Sequence, residues 1–153
     1  MEYGNFNISE KVAIVTGGTG VLGGAIVESL LAAGVKVAII GRNKDRISKK
    51  LLNLKDKDFS DENVIGFSCD VLQISQLETV RDCVLDKWGE IDILINCAGG
   101  NIAGATLIEE QSFFDMKIGS WNAVLNLNLN GSIYPSYVFG KVMAKQKAGC
   151  IIN

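Results

Sequence analysis

The chain has no histidine and a single proline in 153 residues. Without imidazole, a histidine-based nucleophilic triad is excluded and the commonest zinc ligand is missing. The four cysteines, Cys69, Cys83, Cys97 and Cys150, include no pair at CxxC spacing. A thiolate zinc site or a dithiol redox motif is therefore not expected. No apolar run approaches the roughly 18 residues that would span a bilayer, so no membrane partner is expected. Charge of one sign is also lacking: 15 Lys and Arg stand against 17 Asp and Glu, a net −2. That balance points away from nucleic acid. The opening Met1-Glu2-Tyr3-Gly4-Asn5 has neither the basic start nor the apolar run of a secretion signal. Together these features predict a reducing, cytoplasmic location in which the cysteines remain ordinary thiols.

What is present is an average globular composition, 48% hydrophobic and 21% charged. The length suits one domain. Short apolar runs alternate with amphipathic stretches. Val12 to Val15 reads as a buried strand. Val21, Leu22, Ala25, Ile26, Ser29 and Leu30 follow at helical spacing, with Gly34 closing that helix. Val35 to Ile40 is a second strand, Lys44 to Leu54 a helix, and Val64 to Cys69 a third strand. A third helix carries Leu77, Val80, Val84 and Leu85, and Ile91 to Asn96 is a fourth strand. Gly99 to Lys117 reads as loop. Trp121 to Ala144 is largely helical, with Pro135 as a kink or restart. Gly149 to Asn153 opens a fifth strand. Nearly continuous apolar strands alternating with helices predict a doubly wound α/β fold, a parallel sheet with helices on both faces. One boundary is drawn: residues 1–10 form a polar arm and residues 11–153 the Rossmann-type domain.

The turn after the first strand reads Thr16-Gly17-Gly18-Thr19-Gly20-Val21-Leu22-Gly23. Gly18, Gly20 and Gly23 satisfy GxGxxG in its strand–turn–helix context. Such glycines let the backbone approach a pyrophosphate, which the helix N-terminus attracts through free N–H groups. Gly17 to Gly23 are thus the candidate pyrophosphate site. No Gly-Lys-Ser/Thr follows, which excludes a P-loop. At the end of the second strand, where an NAD site carries Asp or Glu for the ribose hydroxyl, the chain reads Gly41-Arg42-Asn43. The missing carboxylate removes repulsion against a 2′-phosphate, and Arg42 can pair with one. NADP is favoured. The other reading keeps Arg42 as a solvated cation, with NAD held by backbone and Asn43.

At this point the chain resembles the short-chain dehydrogenase/reductase family. Asp70-Val71 looks like the pair that contacts the adenine end. Asn96-Cys97-Ala98-Gly99 resembles the family's Asn-Asn-Ala-Gly, which adds Asn96, Ala98 and Gly99 to the cofactor site. Asn126-Leu127-Asn128-Leu129-Asn130-Gly131 resembles the segment bearing the catalytic Asn, matched by Asn128. Gly149 to Asn153 resembles the strand that leads to the catalytic Ser. The glycine turn departs from the TGxxxGxG of the classical branch, and Cys97 replaces the second Asn. The run Ala98 to Asn101 and Phe113-Phe114-Asp115-Met116 resemble a subgroup described as mannonate oxidoreductase-like or fructuronate reductase-like.

The resemblance implies hydride transfer between a nicotinamide cofactor and a carbonyl or hydroxyl of a small molecule, within a homodimer or homotetramer. It places the catalytic Ser and Tyr-x-x-x-Lys beyond Asn153, so the chain is expected to be the cofactor half of a longer enzyme. Tyr137-x-x-x-Lys141 has the right spacing. It precedes the fifth strand, however, and is expected to pack at a surface or interface. A non-catalytic nucleotide-binding or interaction protein, and an extended-branch nucleotide-sugar epimerase, are the alternative readings.

Overall fold

A computed structural model describes residues 7–153. Five strands form one parallel sheet: β1 (Val12–Thr16), β2 (Lys36–Gly41), β3 (Val64–Ser68), β4 (Ile93–Asn96) and β5 (Cys150–Ile152). Their spatial order is β3-β2-β1-β4-β5. The chain winds outward from β1 to β3, crosses back, and continues through β4 to β5. The strand order therefore reverses between β1 and β4, and the crevice at the carboxyl ends of those two strands is where such sheets take ligands. Side chains alternate along β1. Val12 and Ile14 pack on one face with α3 (Ile74–Trp88) and α5 (Gly131–Gln146). Ala13 and Val15 pack on the other, against Val27 and Leu31 of α1 (Val21–Ala32) and Leu54 of α2 (Lys44–Asp56).

Local chemistry sets the helix boundaries. Asn43 caps α2 by accepting the Arg46 N–H at 2.9 Å, and Asp45 and Lys55 complement the helix dipole at its two ends. Gly89, at φ 83°, closes α3 in the left-handed region. The expected apolar stripe of α1 is a correction. Its buried face is Gly23, Gly24, Val27 and Leu31, while Val21 and Leu22 are 97% and 70% exposed. Two glycines bring the helix against the preceding turn, a contact that hydrophobic spacing does not register. A Cβ on Gly23 would lie 2.5 Å from the Gly17 carbonyl oxygen.

The fourth strand is shorter than expected and begins at Ile93. Asp92 instead turns its carboxylate onto the Val12 N–H and the Lys11 ammonium, both at 2.9 Å. The loop after β4 holds two short 3₁₀ turns, Ala103–Ala105 and Phe113–Asp115. The second is closed by a reciprocal Ser112–Asp115 capping box. The following helix starts earlier than expected, as α4 (Ile118–Leu125), and joins α5 through a π-helical turn at Asn126–Asn130. The restart falls at Gly131, four residues before Pro135. Gly131 carries the carbonyl that the absent Pro135 N–H would have engaged. Ser132 and Ser136 hydroxyls donate to the carbonyls of Asn128 and Ser132 on either side of it, at 3.3 and 2.7 Å.

Candidate dinucleotide site

The crevice above β1 and β4 holds a cavity of about 240 Å³. Gly17, Thr19 and Gly20 form its floor and α1 opens directly from Gly20. No side chain caps α1 and no acid lies in its first turn, so the first N–H groups remain available to an anion. Gly17 adopts φ 66°, and a Cβ there would sit 2.5 Å from the Cys97 carbonyl oxygen. Only glycine fits this crossing of turn and β4 loop. Gly18 serves differently from its neighbours. It faces the sheet, where a Cβ would meet Ile39 at 2.9 Å, and does not line the cavity. Gly23 lies beneath the turn, as described, and Val21 and Leu22 project outward beside it.

The β2 side of the cavity is formed by Gly41, Arg42 and Asn43, together with Arg46 from the first turn of α2. Among the described residues, no carboxylate lines it. Asn43 is committed through its side-chain oxygen to the Arg46 N–H. Val71, Ala98 and Gly99 line the remaining wall, joined by Cys69, Cys97, Ile40 and Leu127. Asp70 stands behind Val71, its carboxylate accepting the Leu72 N–H at 3.0 Å. Ile40, Arg46, Cys69, Cys97 and Leu127 also line the cavity, and the sequence motifs give none of them a role.

Thr16 at the end of β1 organises this wall. It is fully buried, and its hydroxyl oxygen accepts the N–H groups of Cys97 at 3.1 Å and Ala98 at 3.0 Å. Burial raises the Cys97 thiol pKa. Burial, with a smaller push from the Asp70 charge, takes Cys69 up to about 11. Both thiols are therefore neutral, weak nucleophiles at physiological pH.

Asn96 and Asn128 stand outside the cavity lining. The Asn96 amide donates to Asn153 Oδ1 at 2.8 Å and Ser136 Oγ at 3.1 Å, tying the ends of β4 and β5 to α5. Its own Oδ1 is buried without a partner among the described residues. Asn128 lies in the π turn. Its Nδ2 donates to the Val124 and Gly100 carbonyls, both at 2.8 Å, and its Oδ1 accepts the Gly100 N–H at 3.2 Å. A Cβ at Gly99 would meet that Oδ1 at 2.6 Å, so glycine is needed for the approach. Tyr137 and Lys141 contact only each other among these groups, the ammonium 4.9 Å from the ring centroid, with Tyr137 itself 56% exposed. Neither lines the cavity.

The reversed strand order, the glycine turn and the uncapped α1 above one crevice define a Rossmann-type dinucleotide-binding domain. The short chain dehydrogenase family matches residues 11–153, and the chain belongs to that family. The oxidoreductase UxuB of Bacillus subtilis, whose activity is uncharacterized, is 36% identical over 155 residues, covering 96% of this chain and 55% of the relative. The 3-oxoacyl-[acyl-carrier-protein] reductase FabG of Buchnera aphidicola is 32% identical, covering 95% and 54%. A solved Haemophilus influenza structure, assigned as a D-mannonate oxidoreductase with bound NAD, superposes with TM-score 0.83 at 30% identity, covering 97% and 56%. The chain thus spans about half the length of the relatives it matches.

Proposed function

We propose that the intact protein is an NAD(P)-dependent oxidoreductase that moves a hydride between a nicotinamide cofactor and the carbonyl or hydroxyl of a small molecule. The observation that carries this reading is the Gly17–Gly20 turn, which leaves the uncapped α1 N-terminus facing the cavity. The bound nicotinamide would supply the hydride chemistry. This chain's residues would hold it: the N–H groups of the Gly17–Gly23 turn on the pyrophosphate, Val71, Ala98 and Gly99 against the adenosine and ribose, and Asp70 behind them. Gly41 and Arg42 support NADP over NAD, because no carboxylate opposes a 2′-phosphate there.

Asn128 is read as an active-site residue that sets the loop after β4 through its three backbone hydrogen bonds. Tyr137 and Lys141 are read as outside the chemistry. A sugar acid of the mannonate or fructuronate kind is the proposed substrate class, supported by the Haemophilus relative. Trp121, Leu125, Leu129, Ile133 and Tyr137 recur every four residues along α4, the π turn and α5, and all are more than two-fifths exposed. This unpartnered apolar row supports a homodimer or homotetramer. Four free thiols are compatible with the cytoplasm as its location.

The test is Gly23→Val in the intact protein. Its side chain must displace the Gly17 carbonyl, so dinucleotide binding by fluorescence titration should be lost while the far-ultraviolet dichroism is kept. Unchanged affinity would refute the pyrophosphate assignment.

A further inference from the structure

The cofactor cavity does not end at Arg42. Beyond it lies an adjoining groove of about 290 Å³ lined by Thr19, Arg46, Lys49, Lys50 and Asn53. Thr19 and Arg46 line both spaces and so stand on the border between them. Among the described residues, no carboxylate lines either one. The cations here are unequal. Lys50 is already engaged, with its ammonium 2.6 Å from Glu28, which it shares with Lys57, and 3.1 Å from the Gly24 carbonyl. Arg42, Arg46 and Lys49 form no side-chain ion pair or hydrogen bond among the described residues. Two unpaired guanidiniums on one cavity repel each other until a multiply charged anion enters.

The backbone aims Arg46 at this place. Its N–H is held by the Asn43 side chain at the first turn of α2, so the residue that enters the cavity beside Arg42 also fixes where Arg46 leaves the helix. Gly41 keeps the space open, since a Cβ there would lie 3.2 Å from Thr19 Oγ1. We propose that Arg46 is a specificity-determining residue, the second arm of a two-arginine clamp with Arg42 on a phosphomonoester dianion, the 2′-phosphate of NADP, with Thr19 Oγ1 donating a hydrogen bond to the same group. This inference rests on the dinucleotide reading above and adds a residue to it. Asn43 acts here as a positioning residue through the cap.

The experiment titrates NADPH and NADH into the intact protein and into Arg46→Gln, Arg46→Lys and Arg42→Gln, with 2′,5′-ADP and 5′-ADP as competitors. Arg46→Gln should weaken NADPH by about ten- to a hundredfold, the loss of one charge-assisted pair, and leave NADH within about twofold. The wild type should be competed far better by 2′,5′-ADP than by 5′-ADP, and Arg46→Gln should narrow that gap. Arg46→Lys should recover part of the loss. If Arg46→Gln binds NADPH as tightly as the wild type while Arg42→Gln does not, the clamp has one arm and the inference is overturned alone. A wild type that prefers NADH also overturns it and leaves the dinucleotide reading standing. Binding of neither cofactor overturns both.

Discussion

Asn128 and Gly100 hold each other in both directions, the Asn128 amide donating to the Gly100 carbonyl at 2.8 Å and accepting the Gly100 N–H at 3.2 Å. This pair locks the start of the loop after β4 onto the π turn, and a third bond to the Val124 carbonyl fixes the amide itself. Asn128→Ala removes all three bonds. Stability should fall by about 1–3 kcal/mol in urea unfolding. Turnover should fall as well, with little change in cofactor affinity. Tyr137→Phe, on the exposed side of α5, should leave turnover nearly intact. Activity abolished by Tyr137→Phe would move the chemistry to α5.

Thr16→Val keeps the shape and the burial of the side chain but withdraws the only acceptor shared by the Cys97 and Ala98 N–H groups. Two half-buried donors left without a partner should cost about 1–3 kcal/mol. Thermal unfolding of the variant should report this, and cofactor affinity should drop because the wall formed by Ala98 and Gly99 is released. Thr16→Ser, which keeps the oxygen, should behave close to the wild type.

The raised thiol pKa values give a reactivity order. Cys69 should remain protonated until pH approaches about 11, because burial disfavours its thiolate. Cys83 and Cys150 are exposed. Mass-resolved alkylation at pH 8 should therefore label Cys83 and Cys150 first, Cys97 slowly and Cys69 last. Labelling of Cys69 at the rate of Cys83 would show that the cavity wall opens in solution.

The apolar row on α4 and α5 should be covered in the assembled protein. Leu129→Asp places a charge at its middle and should shift sedimentation toward the monomer. Lys49→Ala, on α2 away from that row, should not.

Much of this was legible in the chain. Strands of a parallel sheet write themselves as apolar runs, so all five are legible, including the exposed β5, with ends displaced by one or two residues. The glycine turn and the Gly41-Arg42 step were legible because each places an unusual residue where the backbone or a ligand demands it. Other parts were hidden for physical reasons. Thr16 looks like any strand threonine until β4 lies beside it, since its partners are 81 and 82 positions away. The inward face of α1 is cut by glycines, and of its expected stripe only Ile26 and Leu30 pack against the core. Arg46 reads as a solvated helix cation, and only the folded cap turns it toward the cavity.

The π turn at Asn126–Asn130 carries one residue more per turn than the helix around it. Each helical residue advances the backbone by about 100°, so this surplus residue sets the rotational phase between α4 and α5. Val138, Phe139 and Met143 anchor α5 in the core. Deleting one residue from the turn would therefore spin α4 instead, carrying Trp121 and Leu125 a quarter-turn or more around the axis and tearing Asn128 from Gly100. In a scan of single-codon deletions, these five positions should be among the least tolerant in the chain. Asn126, Asn128 and Leu129 are exposed, so burial alone would not single out this segment.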